Sequence, residues 1–214
     1  MAAQLSKLNL KDRLTVFYVG SVVEWLNAPD ADPSFKDIDL RLEVTERDNV
    51  EEEDGNVITY WRGPQNRAGY NLVRIADERI YAIASPKFLA ENPEILNIDD
   101  LSNTTLLHLD EPYRLRPTWR DWFAHQNIEF EDDGGGLRFN DYALVLQACI
   151  AGEGIAMGWN HVTSNLIEKG LLKRINAEYY DIGYGFFACW SSAVKLTDDA
   201  ATVLEWLGQQ GSSI

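Results

Sequence analysis

The chain has 214 residues, 45% of them hydrophobic and 25% charged, a balance that buries a sizeable core and excludes a disordered chain. Nineteen Lys and Arg stand against 34 Asp and Glu, and the resulting net charge of −15 repels phosphate backbones, so this chain alone is not expected to hold DNA. No apolar run approaches the roughly 20 residues of a membrane helix, and Met1 to Lys11 lacks the apolar centre of an export signal, so no membrane partner is expected.

In chain order, residues 14–19 (LTVFYV) are a β-branched and aromatic run closed by Gly20, the pattern of a buried strand leading into a turn. Residues 38–45 alternate apolar and polar, and residues 57–61 (VITYW) form a third strand before the Gly63-Pro64 breaker. Residues 79–84 (RIYAIA) are a fourth. Ser85-Pro86 then places a cap and a first-turn proline ahead of a helix holding Phe88 and Leu89. Asp99 to Leu101 marks a short helical turn, residues 105–109 a strand, and residues 118–125 (TWRDWFAH) an amphipathic helix with Trp119, Trp122 and Phe123 on one side.

The strongest helix signal follows Asn140-Asp141, where residues 143–150 are almost wholly apolar up to Gly152, a composition that predicts burial all round. Residues 155–159 (IAMGW) are a strand, residues 161–169 a helix stopped by Gly170, and residues 185–190 (GFFACW) a strong strand. Residues 197–209 close the chain as a helix with Val203, Leu204, Trp206 and Leu207 at helical spacing. Strands alternating with helices predict an α/β fold with mainly parallel sheets. The only cysteines, Cys149 and Cys189, lie in a helix and a strand, which suggests neither a disulfide framework nor a metal knuckle and fits a reducing cytoplasm. The acidic runs 48–54 and 129–133 read as solvated loops.

The segments LTVFYVGS (14–21), IDLRLEV (38–44), VITYWRGP (57–64), ERIYAIASPKFLAENP (78–93), WRDWF (119–123), FNDYALVLQACIAGEGIAMG (139–158) and EKGLLKRI (168–175), in this order and spacing, resemble the effector-binding domain of LysR-type transcription regulators. The resemblance covers nearly all of residues 13–207. It implies an α/β fold of two Rossmann-like lobes joined by two crossing strands, of the type 2 periplasmic-binding-protein kind. Lobe I would comprise residues 13–83 plus 190–214 and lobe II residues 84–189, with crossings near Ala84 and Ala188 and a small-molecule effector between the lobes. The family usually carries a winged helix-turn-helix ahead of this region, which Met1 to Asp12 is too short to form, so any DNA contact is expected only through such a segment. Pro29 and Pro33 interrupt one helix, and the acidic stretch 46–55 weakens another, of the two that make the family's usual homodimer.

For ligand-binding residues, the resemblance points to Gly20, Ser21 and Val22 after the first strand. Tyr60 and Trp61 at the end of the third strand, Ser85 at its helix cap, and Trp159 after the long helix complete the set with Asn140 and Asp141. The helix begun by Asn140-Asp141 offers backbone amides to an anion, while Trp61, Trp159 and Trp190 with Asp110, Glu111 and Asp141 suggest a cation held by aromatic rings. For each side chain a structural role, capping or core packing, stands beside the ligand role. The effector is therefore read as a carboxylate, an amino acid or a quaternary ammonium. His108, His125 and His161 lack metal-pair spacing, no nucleophile motif or Walker loop occurs, and neither cofactor nor catalysis is expected. A free-standing cytoplasmic small-molecule binding protein is the alternative to an effector domain.

Overall fold

The computed structural model describes residues 14–18, 38, 40–44, 57–95, 98–111 and 116–211. In chain order the strands and helices begin with β1 (Leu14–Tyr18), β2 (Leu40–Val44), β3 (Val57–Gly63), β4 (Tyr70–Asp77), β5 (Ile80–Ala84) and α1 (Pro86–Glu91). A 3-10 turn (Ile98–Asn103) leads to β6 (Leu107–Leu109), α2 (Trp119–His125), β7 (Leu137–Phe139) and α3 (Tyr142–Ala151). The remainder is β8 (Ala156–Trp159), α4 (Asn160–Glu168), β9 (Lys173–Tyr180), β10 (Gly185–Ser191) and α5 (Asp198–Gly211).

Two units are built from these elements, one from both ends of the chain, Met1–Asp77 with Gly183–Ile214, and one from the continuous stretch Glu78–Ile182. The chain passes between them at Asp77–Glu78 and Ile182–Gly183, earlier than the crossings expected at Ala84 and Ala188. The reason is pairing: β5 is hydrogen-bonded along its length to β8 and β9, whereas β10 lies between β3 and β4.

In the first unit the sheet order is β2-β1-β3-β10-β4. β1 runs parallel to β2 and β3. β10 runs antiparallel to both neighbours. α5 is amphipathic as its spacing predicts and buries Ala200, Val203, Leu204, Trp206 and Leu207.

In the second unit β5 lies between β8 and β9, antiparallel to both, and β6 pairs β7 in parallel. The expectation of mainly parallel sheets is therefore corrected: four of the seven strand pairings among the described residues are antiparallel. Apolar periodicity reports burial, and burial does not encode strand direction. The core here is aromatic. Trp119, Trp122 and Phe123 on α2 are fully buried and meet edge-on or tilted at 5.4–5.7 Å. Each indole N–H finds a strand carbonyl, Trp119 donating to Leu107 and Trp122 to Ile80, both at 3.0 Å, so α2 ties β6 to β5 without an unsatisfied donor.

The long apolar helix α3 departs from its expectation of burial all round. Tyr142, Val145, Leu146 and Cys149 are buried, but Ala143, Leu144, Gln147 and Ala151 are exposed, Leu144 at 47%.

Candidate functional site

The carboxyl ends of parallel strands are where α/β proteins place ligands, because the following helices point their amide ends there. In the second unit β6 and β7 supply such an edge. Leu109 is in register with Phe139, and the amide of Asp110 donates to the Phe139 carbonyl at 2.7 Å, so Asp110 and Glu111 leave β6 beside Asn140 and Asp141 leaving β7. α3 starts at once, with Asp141 in extended conformation as its cap. The Asp141 carboxylate accepts from the amides of Ala143 (2.8 Å) and Leu144 (3.3 Å), so the side chain first serves its own helix. Asn140 and Asp141 are both exposed.

Two arginines neutralise the other carboxylates. Arg138, on β7, donates to Asp110 at 3.3 Å and to Asp132 at 2.7 Å. Arg116 donates to Glu111 at 3.0 Å with both side chains nearly buried. A buried pair of this kind survives only because each charge is compensated. His161, buried on α4, is pushed down to about 3 by burial, with Arg116 adding in the same direction.

The other expected residues lie as follows. Ser85 is buried and its hydroxyl accepts from the Phe88 amide at 3.2 Å, capping α1. Trp159 ends β8 as anticipated; it is buried, meets Tyr142 edge-on at 4.9 Å, and donates its indole N–H to Glu78 at 2.9 Å. Tyr60 and Trp61 do not end their strand. β3 continues to Gly63, and the two residues stand in register with Ala188 and Phe187 of β10. The Trp61 ring carries the guanidinium of Arg67 at 4.6 Å, a cation–π contact made within the protein itself. Gly20, Ser21 and Val22 lie outside the described residues. Neither cysteine is in a disulfide and both are buried, and burial pushes the Cys149 thiol up to about 12, which makes it inert.

Sequence reasoning passed over Arg116, Arg138 and Glu78. Arg138 sits in the triplet LRF between Gly136 and Asn140, whose apolar–charged–apolar alternation is a strand signal of minimal length. Glu78 ahead of the apolar strand 79–84 carries no such mark.

A continuous α/β unit inserted in a second α/β unit that both chain ends complete is the plan of the type 2 periplasmic-binding-protein-like domains. The chain belongs to the LysR family: the family model described as the LysR substrate binding domain matches residues 33–212. Among curated relatives, it is 26% identical over 172 residues to the glycine cleavage system transcriptional activator of Escherichia coli, covering 79% of this chain and 55% of that protein. The homologous activator of Haemophilus influenzae is 27% identical over 157 residues, 72% of this chain and 50% of that protein. The chain thus spans about half the length of the curated relatives it matches. Among solved structures, the effector domain of the transcriptional regulator AmpR of Pseudomonas aeruginosa matches with a TM-score of 0.72 and 19% identity, over 94% of this chain and 96% of that one, a likeness of fold.

Proposed function

We propose that this chain is the effector-binding domain of a LysR-type transcription regulator: it takes up a small-molecule effector and passes its occupancy to a DNA-binding segment. The observation that carries the reading is the edge after β6 and β7, where two parallel strand ends, the start of α3 and two arginines converge. Arg116 and Arg138 bind carboxylates there already, so a ligand carboxylate exchanges with Asp110 or Glu111 at little net charge cost. A carboxylate or amino-acid effector fits better than a quaternary ammonium, because Arg116 and Arg138 bring two guanidinium groups to this edge. The domain is read as a cytoplasmic, non-catalytic binder, with DNA contact left to another part of the regulator because this chain carries a net charge of −15.

The test is a thermal-shift screen against carboxylates, amino acids and betaine-like quaternary ammoniums. A ligand present at about 100 times its dissociation constant stabilises by about 2.7 kcal/mol. A carboxylate or amino acid should give the largest shift, lost in Arg138→Gln. A quaternary ammonium winning, with the shift lost in Trp61→Ala or Trp159→Ala, would move the site to the aromatic residues. A ligand that stabilises the domain but leaves a reporter promoter under the intact gene product unchanged would favour a free-standing binding protein.

A further inference from the structure

The parallel pair β6/β7 has another end, and it borders an open cavity of about 410 Å³. Its lining includes Thr104, Thr105 and His108 from the approach to β6 and from β6 itself, and Glu131, Asp132 and Asp133 from the loop before β7. The volume falls in the range of small-molecule pockets, about 300–1,000 Å³. Thr104, Thr105 and the three acidic residues precede the strands and His108 stands in the middle of β6, whereas Asp110 and Asn140 follow them.

His108 is the group that a solvated loop does not explain. It is only 7% exposed, yet among the described residues its ring nitrogens make no hydrogen bond, and the nearest charge, Asp132 Oδ2, stands 4.0 Å from Nδ1. The ring lines the cavity, and its nitrogens keep access to the open space there, where water or a ligand can meet them. Burial, with Arg138 next in effect, holds the imidazole below its ordinary range, so at neutral pH it is uncharged and presents one lone pair. Gly136 closes the site: its φ of +82° belongs to the left-handed region, and a Cβ there would fall 2.2 Å from the Leu106 carbonyl and 3.2 Å from the His108 ring.

Three carboxylates face this space, and the nearest guanidinium, Arg138, is engaged through the other Asp132 oxygen at 2.7 Å. The surplus is negative, which rejects anions. Among the described residues no grouping of three or more His, Cys, Asp or Glu has metal-holding geometry. We infer that this cavity is a second ligand site, joined to the effector edge through Arg138, which bonds both Asp110 and Asp132, and that it takes a small organic cation bearing protonated amines: Glu131, Asp132 and Asp133 receive the ammonium charge and His108 accepts one N–H.

The experiment follows the imidazole resonances of the three histidines by NMR while butane-1,4-diamine is titrated into the whole chain. The expected result is a saturable shift of His108 with His125 and His161 unmoved, and affinity weakened about tenfold in Glu131→Gln/Asp133→Asn. The Asn keeps the side-chain oxygen that accepts from the Gly135 amide, so the loop is retained in that variant. The inference is overturned if His108 does not move, if sodium chloride at equal ionic strength moves it as far, or if zinc chloride moves it and the diamine does not.

Discussion

His161 shows how far one side chain governs the response of this domain to acid. Inside α4, surrounded by Asn160, Val162 and Thr163 that are also buried, the imidazole is held neutral by burial and by Arg116, down to about 3 against an ordinary 6.5. Between those values the unfolded chain takes up a proton that the folded chain refuses, so stability falls as pH falls, by up to about 1.4 kcal/mol per pH unit. Above about 6.5 both states are neutral and the penalty vanishes. His108 adds in the same direction. Urea unfolding of the wild type and of His161→Gln from pH 7 to pH 4 checks this: the variant should lose stability less steeply, by about one proton's worth. Parallel curves would mean that His161 is protonated in the fold.

At the scale of elements, α3 carries the question of whether Asp141 serves the helix or a ligand. Its carboxylate spans two amides of the first turn, so Asp141→Ala should cost about 1 kcal/mol, while Asp141→Asn, still an acceptor, should cost little. If the helix is all that Asp141 serves, both variants keep the ligand-induced thermal shift, read by the same melting assay; loss of that shift in Asp141→Asn alone would put the charge in the binding site. Caps and breakers are also what made the helices legible: Ser85, Asp141 and Gly152 stand where the sequence predicts them, and each makes the bonds of its role, while Thr118, expected inside its helix, is the cap of α2. The strands were read less completely. β9 (KRINAEYY) is largely exposed and charged and shows no period of two, β7 is a triplet, and β4 owes its place to pairing with β10 across a register shift. The two edges of β6/β7 stayed hidden for the same reason, since Arg138 and His108 meet only once that parallel pair forms. The exposed face of α3 was equally out of reach, because a helix apolar on all sides does not declare which side a neighbour covers.

At the scale of the molecule, the two units differ in how the chain supplies them, and that difference is testable. Glu78–Ile182 is one uninterrupted stretch in which, among the described residues, strands β5, β8 and β9 pair only with one another, and β6 only with β7 apart from the parallel bridge of Leu106 to Ile155 beside β8. Its tryptophan core donates inward, to Ile80 and Leu107 of the same unit. A segment of this size with a core of its own is the kind of piece that folds alone. The other unit is discontinuous, and its sheet places β10, from beyond Ile182, between β3 and β4. A fragment ending at Asp77 therefore lacks both the strand that joins β3 to β4 and the helix α5, which leaves backbone groups of two strands unpaired in the middle of a sheet. Expressed separately, Glu78–Ile182 should unfold in urea in one cooperative step, followed by tryptophan fluorescence and circular dichroism together, whereas Met1–Asp77 should show no such step. A Glu78–Ile182 fragment that binds a hydrophobic dye and melts without cooperativity would mean that the continuous unit depends on the discontinuous one for its packing, and the division of the chain into two folding units would fail with it.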